Sequence, residues 1–376
     1  MPVLGGSSGG GSGSTPGVVN VLDYGAAGNL SPSTLAGSTD DSDAIQAAID
    51  ALGGTNRTLY FPRTPGDYRC DKPLNFTNAQ GITILGPYGS RPASSWYVNG
   101  NPAGGAIVYT GGFASRSDTR FVDLRDSHAV KVEGMIIRTW ASSTLARMVD
   151  FEATGAPALG DKPTYGATLT GCFLDTNGGL GAGPTMLHLQ GAVTALVDNC
   201  QFGAGWAAAA ISGARTTGGV KNWSNAVTIR DTMVYPMPTV AAIHNPGMHW
   251  SLRGVVFEPP PSGAVAVLHD RGGGFGEAVS FDGCGFWDLS GSAWVKSTGG
   301  GRGWSFTGCL FDHGTTTQNI FDLTGMNGFS VTGSRFMAQA GGTPNIFKPG
   351  QNITNGNFAG NFMGGGSVDN HASVFV

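Results

Sequence analysis

A set of ionisable residues recurs at one position of a short apolar pattern along most of the chain. Segments such as Phe121-Val122-Asp123-Leu124 and Met148-Val149-Asp150-Phe151 place one polar residue between apolar neighbours. If each segment is a strand, alternate side chains point to opposite faces, so the polar ones share the outer face. The column comprises Asp123, Asp150, His188, Ala210, His244, His269, Lys296, Asp322 and Lys348.

The first three members of this column could perform acid–base chemistry. Asp123 and Asp150 would lie one turn of the stack apart, at ~4.8 Å between backbones. Glycosidases hold two carboxyls ~5–5.5 Å apart when retaining and ~6.5–9.5 Å apart when inverting. Adjacent like charges would raise the pKa of one carboxyl, and His188 could relay protons. We therefore predict Asp123, Asp150 and His188 as catalytic; the same carboxylate pair could instead bind Ca²⁺ for lyase chemistry.

The remaining polar members extend this hypothesis to substrate binding, although the same column would also serve as an ordinary solvated face. Sugar rings stack on exposed aromatic faces, which favours tryptophans in interruptions of the pattern. Two interruptions occur, at residues 152–166, directly after Asp150, and at 203–226. The predicted substrate-binding residues are His244, His269, Lys296, Asp322, Trp206 and Trp223. A second acidic set, more simply explained as surface turns, is Asp175, Glu258 and Asp312.

A repeated phrase predicts the elements that position these residues. Its template is apolar-x-apolar-x-(Gly/Asn/Asp)-x-x-apolar, with spacings from 22 residues (Gly333 to Asn355) to 37 residues (Gly134 to Gly171). The anchor residues are Gly134, Gly171, Asn199, Asp231, Gly254, Gly283, Gly308, Gly333 and Asn355. Each copy describes a short strand that ends in a bend, and stacked copies bury one another's apolar sides. Two or three strands per period, with no helix between them, predict an all-β parallel β-helix of about 10 coils.

The cysteines and several tryptophans fall in inward phases of the same repeat. Cys172, Cys200, Cys284 and Cys309 each follow an anchor directly, which predicts a buried stack of thiols, with disulfides between neighbours left open. Trp250, Trp294 and Trp304 are expected in the core.

Composition limits the classes of function. Charged residues make up 12% of the chain, the net charge is −4 and there is no run of Lys or Arg, which argues against a nucleic-acid binder. We expect neither a signal peptide nor a membrane span, because no charged n-region and no long apolar stretch occurs. Four segments are predicted: a Gly/Ser tether for virion attachment (1–17), a capping helix with the first coils (18–90), the β-helix body (91–365) and a C-terminal tail (366–376).

Only residues 39–53 read as a helix. Ala44, Ile45, Ala48, Ile49 and Leu52 lie on one face, Asp40 or Asp41 can cap the start, and Gly53-Gly54 ends it. We expect this helix to cover the open end of the solenoid, where terminal strands would otherwise expose apolar side chains.

The N-terminal motifs resemble those of a known superfamily. These motifs are Val21–Ala26, Thr39–Asp50, Leu59–Pro62, Gly66–Tyr68 and Ile82–Gly86. In this order they resemble the start of pectate-lyase-like proteins, a group that includes polygalacturonase-type glycosidases and bacteriophage tailspikes. The resemblance implies a right-handed β-helix and, for the phage members, a homotrimer that binds or cleaves surface polysaccharide. Polygalacturonase activity is not carried over, because Asn-Thr-Asp and Arg-Ile-Lys are absent and the one Asp-Asp, Asp40-Asp41, starts the helix.

Three functions follow from this interpretation. The first is a tailspike or tail-fibre protein of a virion, made in the host cytoplasm, that binds a bacterial surface polysaccharide and docks to other tail proteins by its N-terminus. The second is a polysaccharide hydrolase or lyase on the same fold. The third is a structural decoration protein of the virion.

Overall fold

The computed structural model of the protein shows a parallel β-solenoid, which confirms the predicted fold class. The number of coils differs only slightly from the ten predicted. The structure describes residues 17–31, 33–53, 57–88, 104–111, 120–140, 145–154, 164–176, 183–203, 207–213, 224–235, 238–258, 264–270, 276–287, 293–298, 300–312, 319–337, 345–351 and 353–364.

Three parallel sheets form the walls, and each complete coil contributes one strand to each sheet in the order A, B, C. Sheet A consists of Val18–Asn20, Thr58–Tyr60, Thr83–Leu85, Lys131–Glu133, Thr168–Thr170, Leu196–Asp198, Thr228–Arg230, Ser251–Arg253, Ser280–Asp282, Gly301–Thr307, Met326–Thr332 and Asn357–Ala359. Sheet B consists of Tyr68–Cys70, Ile107–Tyr109, Ile136–Thr139, Phe173–Thr176, Gln201–Gly203, Met233–Val234, Val256–Phe257, Gly285–Phe286, Leu310–Asp312, Arg335–Met337 and Phe362–Gly364.

Sheet C consists of Leu74–Asn75, Arg120–Asp123, Arg147–Asp150, Thr185–His188, Ala209–Ser212, Ala241–His244, Val265–His269, Val295–Ser297, Asn319–Leu323 and Asn345–Phe347. A small fourth sheet pairs Thr164–Tyr165 with Ala192–Val193. The strand Ala209–Ser212 lies within the predicted interruption 203–226, so the regular coil continues through part of that segment.

The anchor residues turn the chain from sheet A to sheet B. Gly171 and Gly283 both have φ of 59°, and Asn199 and Asp231 have φ of 51° and 48°. This left-handed conformation is open to Gly and tolerated by Asn and Asp, which explains the residue choice at the fifth position of the template. The turn keeps successive strands in register; for example, Leu169 pairs with both Val132 and Val197.

The space between the sheets is filled by apolar side chains that stack from coil to coil. Trp250, Trp294 and Trp304 are fully buried, as predicted. Along the inner face of sheet B, the rings of Phe257, Phe286, Phe311 and Phe336 follow one another with centroids 4.9, 4.6 and 5.0 Å apart. All five cysteines are buried and free, so the predicted thiol stack carries no disulfide.

A helix at Ser42–Ala51 covers the first coil, preceded by a 3₁₀ turn at Val21–Tyr24. Its buried face, which includes Ile45, Ala48 and Ile49, packs on the first strands of sheets A and C. The Asp40 carboxylate accepts from the Ser42 amide at 3.0 Å, whereas Asp41 accepts from the amides of Ala27 and Gly28. Among the described residues, no helix is long and apolar enough to cross a bilayer.

The predicted boundaries between segments stay predictions. Most of the tether, residues 1–16, and the tail 366–376 lie outside the described residues.

Candidate functional site

The strand register of sheet C shows which residues occupy the predicted column. Asp150 pairs with Asp123 on one side and with His188 on the other, as predicted. The remaining members in order are Ser212, His244, Leu268, Lys296, Asp322 and Lys348.

Two predicted members were therefore placed wrongly. Ser212, not Ala210, occupies the column, and Ala210 is buried in the core. Leu268 pairs with His244 and Lys296, whereas His269 lies one residue further on and pairs with Ser297. The error at His269 arises because Val265–His269 is five residues long, so a pattern aligned on its last residue shifts by one.

The N-terminal end of the column is buried rather than solvated. Asp150 has no exposed surface and His188 is 1% exposed. Asp150 accepts from Arg147 at 2.8 Å and from Arg120 at 2.5 Å, and His188 Nδ1 lies 2.9 Å from its other oxygen. Glu152 contacts both arginines and its amide donates to Asp150. These five residues, Arg120, Arg147, Asp150, Glu152 and His188, form what we call the Asp150 cluster.

The electrostatics of the Asp150 cluster favour a permanent carboxylate. Burial alone would raise the pKa of Asp150, but the hydrogen bond and charge of His188, together with Arg147, hold this pKa well below its usual range. A carboxyl with so low a pKa is a poor general acid near neutral pH. The predicted rise of one pKa through repulsion between Asp123 and Asp150 does not occur at Asp150, because His188 and Arg147 stabilise its ionised form.

Asp123 is paired separately, with the guanidinium of Arg125 at 2.7 and 2.8 Å. The catalytic roles of Asp123, Asp150 and His188 stay predictions. Asp150, Glu152 and His188 do bring three potential metal ligands within 4.8 Å of one another. Arg120 and Arg147 already occupy those carboxylates, so Ca²⁺ would have to displace two guanidinium groups to bind there.

The other predicted binding residues do not converge on one point. Asp322 pairs with Lys348 at 3.0 Å, and His244 lies 3.2 Å from Asp270. His269 is fully buried and its ring lies 6.0 Å from that of Trp304. Neither of its ring nitrogens has a hydrogen-bond partner among the described residues, and burial lowers its pKa to about 4. Trp206 and Trp223 lie outside the described residues.

A second charged site lies on the outer face of sheet B. The guanidinium of Arg138 stands 3.7 Å from Asp67 and 3.7 Å from Asp175, and its carbon lies 5.9 Å from the centre of the Phe173 ring. Arg138 and Asp175 are direct neighbours in the ladder. We call Asp67, Arg138 and Asp175 the Arg138 site.

The Arg138 site differs from the Asp150 cluster in its pKa values. Burial raises the pKa of both Asp67 and Asp175, and the opposing charge of Arg138 does not cancel this effect. The apolar surround includes the buried side chain of Phe173 and the partly buried Tyr88 and Trp140. Carboxyls with raised pKa beside a cation and aromatic rings are typical of sites that bind or protonate a polar ligand.

Sequence reasoning identified Asp175 but missed Asp67 and Arg138. Arg138 lies four residues after the anchor Gly134, and Asp175 lies four residues after Gly171. Reading that position in every repeat would have found both, because it is the outward position of sheet B. Asp67 has no such signal, since it precedes the first regular repeat.

Comparison with known proteins confirms the resemblance that the N-terminal motifs predict. Residues 18–119 match the family model described as rhamnogalacturonase A/epimerase, pectate lyase-like. No curated protein shows significant sequence similarity to the chain.

Solved structures with the same fold include enzymes and phage proteins. The A-module of mannuronan C-5 epimerase AlgE6 from Azotobacter vinelandii is 13% identical, with a TM-score of 0.51, covering 93% of this chain and all of that one (100%). The tailspike of Acinetobacter phage vB_ApiP_P1 is 14% identical, with a TM-score of 0.52 over 95% of this chain. The tailspike of E. coli bacteriophage HK620 is 13% identical, with a TM-score of 0.52 over 94%. The chain spans 61% and 64% of these two tailspikes, and the likeness shows a shared fold.

Proposed function

We propose that this protein binds a bacterial surface polysaccharide along the outside of its solenoid, as a tailspike-type component of a phage virion. The observation that carries the proposal is the Arg138 site, where a cation, two carboxyls and aromatic side chains share one outer face. The HK620 tailspike of the same fold was solved in complex with a pentasaccharide.

The chemistry of the Arg138 site suits a sugar. A guanidinium presents several donors in a fixed plane, and carboxylates accept from hydroxyl groups, so the trio can bind a ring that offers both donors and acceptors. Apolar sugar faces pack on accessible aromatic rings, and the partly buried Tyr88 and Trp140 lie beside the site. Asp175 keeps 22% of its side chain exposed, whereas Asp67 keeps 6%, so a ligand would approach from the side of Asp175.

A panel of purified capsular and lipopolysaccharide glycans, immobilised and probed with the protein, tests this function. We expect binding to at least one bacterial polysaccharide, weakened at least about tenfold by Arg138→Met, which corresponds to ~1.4 kcal/mol. Arg230→Met, which removes an exposed arginine of sheet A, is the control and should retain binding. Absence of binding across the panel would contradict the proposal.

Homotrimer formation and attachment to other tail proteins through the N-terminus belong to the same proposal. Light scattering of the full chain at micromolar concentration should give three times the mass of the 38.5 kDa chain. A monomer at that concentration would argue against the tailspike assignment and leave polysaccharide binding to be judged on the panel.

Cleavage of the bound polysaccharide is a second candidate, favoured by the raised pKa of Asp67 and Asp175. A carboxyl that stays protonated nearer neutral pH can donate to a leaving glycosidic oxygen. Incubation with the bound glycan should then release new reducing ends, or unsaturated uronates if the chemistry is elimination. We expect Asp175→Asn to abolish release. Release that survives this change but is lost in an Asp150→Ala variant that circular dichroism shows to be folded would move the activity to the Asp150 cluster.

A further inference from the structure

The outer face of sheet B continues beyond the Arg138 site as a row of aromatic and acidic side chains. Successive coils after Asp175 and Gly203 place Tyr235, Glu258, Trp287 and Asp312 at the same outward position. Tyr235 is 39% exposed and Trp287 is 42% exposed. Phe362, at 58%, lies further along the same face, so this face carries three of the seven large hydrophobic residues that the described chain exposes. We call Tyr235, Glu258, Trp287 and Asp312 the sheet B row.

The backbone holds the sheet B row in a fixed register. The amide of Glu258 donates to Val234 at 3.1 Å, and that of Trp287 donates to Phe257 at 2.9 Å. Directly beneath, the stacked rings of Phe257, Phe286 and Phe311 fill the core side of the same strands. The row therefore stands on a close-packed support and need not be ordered by its ligand.

The indole of Trp287 lies over the backbone of Gly285, two residues earlier in the chain. A Cβ atom added at Gly285 would stand 2.7 Å from Nε1 of Trp287 and 3.4 Å from its Cδ1. The indole thus occupies the space that a side chain on the same strand face would need. An exposed indole that rests on the strand beneath it offers a face on which a sugar ring can stack.

We infer that the sheet B row binds a run of neutral or amino-bearing sugar units of the polysaccharide, and not a polyuronate. Tyr235 and Trp287 are two coils apart, ~9.6 Å from the spacing of parallel strands, and carboxylates occupy the coil between them and the coil after. Carboxylates accept from hydroxyls and attract ammonium groups, but repel the carboxylates of uronate units. This inference rests on the proposed function and names the substrate class for it.

The alternation of acidic and aromatic residues also argues for a glycan rather than a second copy of the chain. Obligate contacts between subunits are depleted of charged residues at their centre. The acidic residues Glu258 and Asp312 alternate with the aromatic residues, so the row has no purely apolar centre.

Isothermal titration with soluble oligosaccharides tests the inference on the full chain. The probes are oligomers of N-acetylglucosamine, glucosamine and galacturonate, together with any oligosaccharide released from a polysaccharide that the panel identifies. We expect a neutral or amino-bearing probe to bind more tightly than galacturonate oligomers, and Trp287→Ala to weaken that binding at least about tenfold.

Gly285→Ala is the sharper variant, because it retains the indole but displaces it from the sheet. It should weaken binding severalfold in the same direction as Trp287→Ala. Tyr165→Ala is the matched control, since Tyr165 is 47% exposed on the small fourth sheet, away from the row. Circular dichroism of each variant verifies that the fold is retained.

The outcomes separate the inference from the proposed function. If binding to the panel is lost in Arg138→Met but unchanged in Trp287→Ala and Gly285→Ala, the sheet B row does not bind the glycan. The proposed function would then remain intact. Preference for galacturonate would overturn the substrate class. A wild-type protein that binds no glycan at all would overturn both, and dissociation of an oligomer by Trp287→Ala would assign the row to self-association instead.

Discussion

Sheets B and C each place arginine and carboxyl groups together on their outer faces, but the two groupings have opposite electrostatic character. In the Asp150 cluster the partners lie at hydrogen-bonding distance and lower the pKa of the carboxyl. At the Arg138 site both contacts are 3.7 Å and burial prevails, so the pKa of each carboxyl rises. We expect the first arrangement to stabilise the folded chain, and the second is the one that we propose contacts a ligand.

The strongest test removes the centre of the Asp150 cluster. Asp150→Ala leaves Arg120 and Arg147 buried with one carboxylate fewer, and we expect a loss of about 3–5 kcal/mol in the free energy of unfolding. Urea denaturation followed by circular dichroism measures it. Asp322→Ala, which breaks a pair with the half-exposed Lys348, should cost about 1 kcal/mol or less. Equal losses in the two variants would show that the Asp150 cluster is not a structural centre.

The two buried histidines of sheet C extend the comparison to pH. His188 is held by Asp150, whereas the pKa of His269 falls from 6.5 to about 4 through burial. As the pH falls, His269 becomes protonated in the unfolded chain at a higher pH than in the folded chain. The contribution of His269 to the free energy of unfolding therefore declines between about pH 6.5 and pH 4. The decline amounts to on the order of 3 kcal/mol.

His269→Leu removes this titration. Unfolding free energies at a series of pH values should show a flatter profile for His269→Leu than for the wild type within that window. A variant profile that runs parallel to the wild type would show that His269 is not the responsible group.

Asp175→Asn should change the free energy of unfolding in the opposite direction to Asp150→Asn. Because the folded pKa of Asp175 is raised, ionisation above the unfolded pKa of about 3.8 favours the unfolded chain at neutral pH. An uncharged amide avoids that penalty, so we expect the free energy of unfolding at pH 7 to rise by about 1 kcal/mol or less. Asp150→Asn under the same conditions should lower it. Destabilisation by both would remove the distinction between the two sites.

The smallest expected effect concerns calcium. Since guanidinium groups already neutralise Asp123, Asp150 and Glu152, millimolar Ca²⁺ or a chelator should leave the melting temperature of the protein unchanged. A clear rise in melting temperature with Ca²⁺ would instead support the calcium site that the sequence allows at Asp123 and Asp150.

The fold was predictable because each repeat carries the local residue preferences of a short strand followed by a turn. An anchor that tolerates positive φ, such as Gly171 or Asn199, is a local requirement and therefore visible in the sequence. The inward position of Cys172 follows from the same phase. The pairing of Asp123 with Asp150 was predictable for the same reason, since it depends only on aligned strands.

The electrostatics were not predictable, because they depend on partners outside the repeat phase. Arg120 is the first residue of one strand, and Glu152 follows the end of the next strand, Arg147–Asp150. Their contacts with Asp150 form only in the folded chain. His269 lies outside the column because the strand Val265–His269 has five residues, and no residue in the sequence marks where this strand begins. Asp67 reaches Arg138 from the irregular first coil.

The sulfur chemistry has a consequence for where the molecule can operate. Every cysteine of the chain is a buried free thiol, so no covalent cross-link contributes to its stability. Burial raises the pKa of the Cys70 thiol well above its usual value, whereas a hydrogen bond from Cys309 lowers the pKa of Cys284. Because all five thiols are buried away from dissolved oxidants, we expect the solenoid to keep the same structure in a reducing and in an oxidising medium.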